Sequence, residues 1–252
     1  MPKSTPVLIS KLPTFEACAL THQGKVREYH EDAFVLGNHV QPAPVAGPVV
    51  IEKILQADGG ITAVIDGMGG MGGGDVAATW LARRWAKRRV RSAATLTRQL
   101  CADHDELLDE ARYSHTPLMG AVATGVALLP KHALLFHAGD CRAYRVKGNT
   151  CTLLTKDDTS STGVVLQAFG GGECTGMKSE LHPHLSTLPY DPEATLLLMS
   201  DGAWQYLKPP IIVLTLRARP SLREFVLTLA AFVLEGRAGD NLTLIALRQL
   251  PT

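Results

Sequence analysis

Net charge is nearly absent from this sequence: 25 Lys and Arg stand against 24 Asp and Glu over 252 residues, a formal +1. That balance excludes a role resting on a global electrostatic field, such as coating nucleic acid or lying on an acidic membrane. Paired cysteines are absent too. Cys18, Cys101, Cys141, Cys151 and Cys174 are an odd set with no CxxC spacing, which suits neither a disulfide framework nor a zinc ribbon and predicts a reducing compartment. They read as packing residues. No apolar run approaches the roughly 18–20 residues that span a bilayer; the stretch 227–234 is apolar but short, bracketed by Glu224 and Glu235. The opening Met1-Pro2-Lys3-Ser4-Thr5-Pro6 holds no apolar signal core. These absences predict a cytoplasmic protein without a membrane segment.

What is present is a globular composition, 46% apolar, enough for a sizeable core. Positive charge concentrates locally at Arg83, Arg84, Lys87, Arg88, Arg89 and Arg91. A solvated helix face accounts for the cluster; a patch for an acidic partner or nucleic acid is the alternative.

Periodicity predicts strands at 17–21, 33–37, 61–66, 122–129, 133–138, 142–146, 151–154, 195–200 and 242–247. A helix is expected over 75–92, capped by Asp75, with Ala78, Leu81, Ala82 and Trp85 on its buried face. A second follows over 96–112. A third spans 221–236, where Ser221 and Glu224 form a capping box. Residues 41–48, with Pro42, Pro44 and Pro48, read as a loop or flexible insertion, and 41–60 as a long connection, a plain surface loop ahead of the alternative of a partner-binding one. Strands, two consecutive helices, more strands and a late helix give α+β layering rather than βαβ alternation.

Asp66, Asp140, Asp201 and Asp240 each lie at the end or beginning of an apolar strand and beside glycine; Asp32 follows Glu31 just before a strand. Singly, an Asp-Gly pair reads as a turn. Four at strand ends point instead to carboxylates gathered for a hard cation such as Mg²⁺ or Mn²⁺, with glycine freeing the backbone to turn a carbonyl toward the ion. The glycine run after Asp66 contains G-x-G-x-x-G (Gly67, Gly69, Gly72) between a strand and a helix. A dinucleotide site would need an acidic residue about 20 positions on, at the end of a second strand. Arg91-Ser92-Ala93-Ala94 stands there, after a helical stretch. No Gly-Lys-Ser/Thr closes a phosphate loop either. Nucleotide binding is excluded on both counts.

In order, these motifs resemble the metal-dependent protein phosphatases, the type 2C Ser/Thr class, in its bacterial form. Gly24-Lys25-Val26-Arg27-Glu28-Tyr29-His30-Glu31-Asp32 resembles G-x-x-R-x-x-N-E-D. Asp66-Gly67-Met68-Gly69-Gly70 followed by Gly74-Asp75-Val76-Ala77-Ala78 is similar to D-G-M-G-G and its helix start. Gly139-Asp140-Cys141-Arg142-Ala143-Tyr144 resembles G-D-S-R-x-Y, and Leu154-Thr155-Lys156-Asp157-Asp158-Thr159 resembles L-T-x-D-H-S. Gln167-Ala168-Phe169-Gly170 stands for R-A-L-G, and Ser200-Asp201-Gly202 and Gly239-Asp240-Asn241 complete the set.

The resemblance implies one phosphatase domain over 1–252, a four-layer α-β-β-α sandwich with two mostly antiparallel sheets, and two Mn²⁺ or Mg²⁺ ions with a weaker third. Asp66 would bridge two ions and the Gly67 carbonyl would bind one. Asp201 and Asp240 would ligate directly, and Asp32, with Glu31 beside it, would hold metal-bound waters. Asp140 with Asp201 would take the third ion. Arg27 would grip the substrate phosphate, a guanidinium forking onto two oxygens. The reaction implied is hydrolysis of phosphoserine or phosphothreonine by a water activated between the ions, without a protein nucleophile. The partners implied are a phosphoprotein and its cognate Ser/Thr kinase or that kinase's targets, with no nucleic acid and no membrane, the protein acting as a monomer.

Three departures stand out. His30 replaces Asn and introduces an imidazole near the metals. Met71 occupies a position where many members carry His, the candidate acid for the leaving alkoxide; a thioether donates no proton, so His30 or metal-bound water is expected to serve. Between Thr159 and Gln167 only seven residues, 160–166, replace a helical flap, predicting an open cleft. These departures keep a second function in view, that of a phosphoprotein- or partner-binding regulator with little turnover.

Overall fold

The computed structural model describes residues 12–45, 47–68, 73–116, 118–171, 180–219 and 221–251; Met71, Cys174 and the glycines at 69, 70 and 72 lie outside them. The described chain opens with strands β1 (Thr14–His22), β2 (Ala33–Leu36), β3 (His39–Gln41), β4 (Val49–Gln56) and β5 (Ile61–Met68). Helices α1 (Gly74–Trp85) and α2 (Ala93–Tyr113) follow, then β6 (Gly120–Leu128), β7 (His132–Ala138), β8 (Arg142–Lys147) and β9 (Thr150–Leu153). The last third holds β10 (Phe169–Gly170), β11 (His184–Pro189), β12 (Ala194–Met199), α3 (Asp201–Trp204), α4 (Pro209–Ala218), α5 (Leu222–Glu235) and β13 (Leu242–Gln249).

Two sheets result, ordered β4-β1-β13-β12-β8-β9 and β11-β7-β6-β5-β2-β3, with β10 joined to β6. Every named strand pairing among the described residues is antiparallel. Strand alternation assigns the layers. Along β5, Ile61, Ala63 and Ile65 pack with Leu81 and Trp85 of α1 and Leu100 and Leu107 of α2, while Val64 faces the other sheet with Ile245, Leu198 and Phe34. Opposite faces are period-two neighbours, so a strand buried on both sides reads as a continuous apolar run. On the far side, Leu20, Leu197 and Leu244 pack against Phe225, Leu229 and Val233 of α5. The order is helices, sheet, sheet, helices: the α+β four-layer sandwich expected. No helix among the described residues is long and apolar enough to cross a membrane.

The expected buried stripe of α1 holds, but its boundaries shift. Gly73 occupies the N-cap without a side-chain bond, and Asp75 sits inside the first turn, where its charge suits the positive end of the helix dipole. The helix also stops at Trp85 rather than running to 92. Val90 is drawn into the core, its N–H donating to Gly59 O at 2.8 Å while Gly59 N donates to Leu128 O at 2.7 Å, and that tertiary contact overrides the helical propensity of 86–92. Ser92 instead caps α2, accepting from Thr95 N at 3.2 Å. The long connection over 41–60 contains β4, an edge strand paired with β1 from Thr14↔Gln56 to Thr21↔Val49. The shortened flap is a tight hairpin turn: Thr159 bridges Val165 and Ser160 N donates to Val164 O at 2.8 Å.

Register brings the chemically interesting strand ends to one end of the sandwich. Ala33 lies opposite Ile65, Asp66 opposite Val122, and Ala123 opposite Ala138. In the other sheet Met199 pairs with both Leu244 and Arg142, and His22 with Leu242. Asp32, Asp66, Asp140, Asp201 and Asp240 therefore emerge together, although 208 positions separate the first from the last.

Candidate metal centre

At that end is a cavity of about 250 Å³ lined by Arg27, Glu31, Asp66, Gly67, Asp140, Asp201 and Asp240, with Val165 of the shortened flap on its wall. Six of the seven expected site residues thus face one space. Asp32 lies behind the wall, 1% exposed. Its Oδ2 accepts from Ser200 Oγ (2.9 Å) and Thr243 Oγ1 (2.6 Å). Its Oδ1 is buried with no partner among the described residues.

The hydroxyl of Thr243 is spent on Asp32, so the 2.7 Å contact to Thr21 Oγ1 must be donated by Thr21. His30 Nε2, 2.8 Å from Thr21 Oγ1, must then carry a proton and donate. The chain of donors runs one way, from His30 to the Asp32 carboxylate, and fixes the imidazole in its Nε2–H form. Burial pushes the His30 pKa down to about 4, helped by His22. His30 is neutral, 1% exposed and turned away from the cavity. This corrects the expectation that it supplies a pH-sensitive group or a leaving-group proton.

The carboxyls repel one another. Burial first, then Asp32, Asp201, Asp140 and Asp240, hold Asp66 well above the ordinary carboxyl range. Burial and then the charges of Asp201 and Asp157 raise Asp140 to about 7. Asp32 also rises to about 7, mainly by burial, against the lowering effect of its two hydroxyl donors. Asp201 is raised by burial and then by Asp240. Among the described residues Arg27 is the one cation on the cavity wall, donating from Nη2 to Asp240 Oδ2 at 2.6 Å.

Among the described residues no three His, Cys, Asp or Glu side chains are already posed around an ion. The hydrogen bonds explain why: Asp240 is drawn to Arg27 and to Asn241 N (2.9 Å), and Asp201 to Gln205 Nε2 (3.0 Å). The donor set nonetheless fits a hard divalent cation. It is all oxygen, it carries excess negative charge, and it includes one buried carboxylate oxygen without a partner. Backbone shape agrees, since Gly67 packs so close to Glu31 that a Cβ there would lie 2.6 Å from Glu31 O.

Several residues with no assigned role in the sequence reading build this site. Asn241 Oδ1 accepts from Glu31 N (2.8 Å), while its Nδ2 donates to Gln23 O (2.8 Å) and Tyr29 O (3.0 Å), tying the Arg27 loop to the Asp240 turn. Arg142 pairs with Asp157 at 2.7 Å and lies 3.5 Å over the Trp204 ring. Trp204 Nε1 in turn donates to the Asp140 carbonyl at 2.8 Å. Asn241, Arg142 and Asp157 fall inside the quoted motifs, and that placement was the available signal. Trp204→Phe keeps the ring under Arg142 and removes the donor; a loss of about 1 kcal/mol is expected in urea unfolding. With it, Mn²⁺ affinity in calorimetry should fall about tenfold.

Among the described residues no cysteine lines the cavity. Cys18 and Cys141 are buried, and burial raises both thiols, Cys18 to about 12. A separate apolar cavity of about 110 Å³, between Phe15, Leu128, Leu188 and Leu247, lies at the opposite end of the sandwich.

Two antiparallel sheets flanked by helices are the fold of the bacterial type 2C Ser/Thr phosphatases. PppA, a key regulatory component of T6SS in Pseudomonas aeruginosa, superposes with a TM-score of 0.76 at 21% identity, covering 96% of this chain and 100% of its own. The catalytic domain of the serine threonine protein phosphatase PstP, in complex with 2 manganese ions, gives 0.75 at 21% identity over 95% and 100%. The S. agalactiae serine/threonine phosphatase gives 0.73 at 19% over 93% and 99%. No protein-family model matches the sequence, and no curated protein does.

Proposed function

We propose that this protein is a metal-dependent protein Ser/Thr phosphatase. The observation that carries the reading is the convergence of four aspartates and Glu31 on one cavity, with Asp32 buried behind its wall and one Asp32 oxygen without a partner among the described residues. Asp66, Asp201, Asp240 and the Gly67 carbonyl would hold two Mn²⁺ or Mg²⁺ ions, Asp32 and Glu31 the water around them, and Asp140 with Asp201 a third. Bound there, the ions supply the charge that makes water nucleophilic near neutral pH and offsets charge building on the phosphoryl oxygens. Arg27 binds the phosphate: its side chain is 51% exposed and its partner Asp240 is a proposed ligand, so metal binding frees the guanidinium for two phosphate oxygens. Ser200 and Thr243 hold Asp32, and Asn241 holds the Arg27 loop over the cavity.

Purified protein with Mn²⁺ is expected to release phosphate from p-nitrophenyl phosphate and from a phosphothreonine peptide, and Asp201→Asn to release almost none. Equal rates for the two proteins, or no dependence on Mn²⁺, would sink the proposal. A second reading rests on the cavity wall, which among the described residues carries no histidine to protonate a leaving alkoxide. On that reading the protein binds phosphoproteins and turns them over slowly; peptide binding without release in the same assay would favour it.

A further inference from the structure

Away from the cavity, a groove of about 590 Å³ runs along the outer face of α1, lined by Asp75, Val76, Trp80, Arg83, Lys87 and neighbouring residues. Its wall is rigid. Thr79 Oγ1 donates to Ala43 O at 3.1 Å and accepts from Ala43 N at 3.0 Å, pinning the loop at Ala43 to the helix. Arg84 is clamped between Asp103 (2.9 Å) and Glu106 (2.8 Å) and lies 4.4 Å over the Trp80 ring, and Arg88 also pairs with Asp103. Those two guanidiniums are neutralised. Arg83 and Lys87, one helical turn apart, are exposed and make no ion pair among the described residues. In a molecule of net charge +1 they leave an unbalanced positive site on a preformed surface.

The groove begins beside the acidic cavity. Gly74 packs so close to the cavity wall that a Cβ on it would lie 2.6 Å from Glu31 Oε1, and Asp75, the next residue, opens the groove. From Gly74, Arg83 and Lys87 are about 13 and 19 Å further along at 1.5 Å per residue. An extended peptide covers those distances in about four to six residues.

We propose that this groove docks an acidic segment of the phosphoprotein substrate, with carboxylates about four to six residues from the phosphorylated side chain meeting Arg83 and Lys87. The inference rests on the phosphatase reading and names the substrate class for it. A polypeptide fits better than a nucleic acid. The Trp80 face is covered by Arg84 and offers no free platform for a base, and the carboxyls at the cavity end repel a uniformly charged backbone. An acidic peptide can place its neutral residues there and its charges further along.

Two phosphothreonine peptides test it, one with glutamates four to six residues from the phosphothreonine on both sides, the other with glutamines. The wild type is expected to prefer the acidic peptide roughly tenfold in kcat/KM at low salt, the preference fading in 0.5 M NaCl. In Arg83→Glu/Lys87→Glu the preference should disappear or invert. Equal kcat/KM for both peptides, or a preference that survives charge reversal, overturns the docking site. Turnover of p-nitrophenyl phosphate reports the cavity itself, so its absence counts against the phosphatase reading and not against the groove. Fluorescence anisotropy with the unphosphorylated acidic peptide then decides the groove alone: binding lost on charge reversal supports it, and no binding overturns it. Tighter binding of a single-stranded oligonucleotide, or of phosphatidylserine vesicles, than of the acidic peptide also overturns it.

Discussion

Asp66→Asn is expected to lower Mn²⁺-dependent phosphate release more than about 100-fold, since loss of a partner merely supporting a ligand already costs 10–100-fold. The same change should make the metal-free protein more stable. Asp66 sits among Asp32, Asp140, Asp201 and Asp240, and burial with their repulsion raises its pKa well above 3.8. A carboxyl raised on folding begins to cost stability once pH passes its unfolded value, and the cost grows until pH reaches the folded value. Asparagine removes that cost, so its advantage is present at neutral pH and disappears below about pH 4, where the unfolded chain is also protonated. Calorimetry without metal should show a higher Tm for Asp66→Asn at pH 7.5 and no difference at pH 3.5. Adding Mn²⁺ should reverse the ranking, because only the wild type gains ligand stabilisation. A variant that keeps activity, or that melts lower than wild type without metal at pH 7.5, would show that the carboxyls are not held together for a cation.

Asp103→Ala has the largest expected effect on folding. Asp103 is fully buried on α2, accepting from Arg84 Nε (2.9 Å) and Trp85 Nε1 (2.9 Å) and pairing with Arg88. Removing the carboxylate strands the Arg88 guanidinium and the Trp85 indole N–H where water reaches them poorly and leaves Arg84 with Glu106 alone, and breaking such a buried network costs about 3–5 kcal/mol. For a chain of this size that corresponds to a fall in Tm on the order of 10 °C. Asp103→Asn keeps an acceptor for one donor and should fall between. The loss should spread beyond the two helices, because Trp85 packs edge-on to Phe136 of β7 at 5.2 Å and to Phe169 of β10 at 5.3 Å. A change below 1 kcal/mol in urea unfolding would mean that the freed guanidiniums reach water.

The carboxylates were legible in the sequence because the signal is local. An aspartate beside glycine at the end of an apolar strand is visible within five residues, and the register of two antiparallel sheets does the rest. What escaped reading is what the chain assembles across distance. Ser200, Thr243 and Thr21 look like ordinary strand and turn residues until β1, β12 and β13 lie side by side and align their hydroxyls with Asp32. His30 was misread for the same reason: its neighbours in sequence are acidic, while its contact in space is Thr21. Helix α4 hid behind Ile211-Ile212-Val213, a β-branched run, although Pro209 suits a first helical turn. Strand β4 hid because it lies on a sheet edge with Leu55 alone of its eight residues buried, and Glu52 and Lys53 interrupt the apolar pattern.

The bonds from Ser200 and Thr243 to Asp32 also place the site in time. They close loops of 168 and 211 residues, among the most distant contacts in the chain, and such closures come late when local structure forms first. During synthesis, the amino-terminal half can build β5 against α1 and α2, but the carboxyls of the proposed cation site are not together until β13 has emerged and both sheets have docked. An ion bound at that proposed site would weld the last-formed seam of the sandwich and so tie the lifetime of the folded state to the supply of metal.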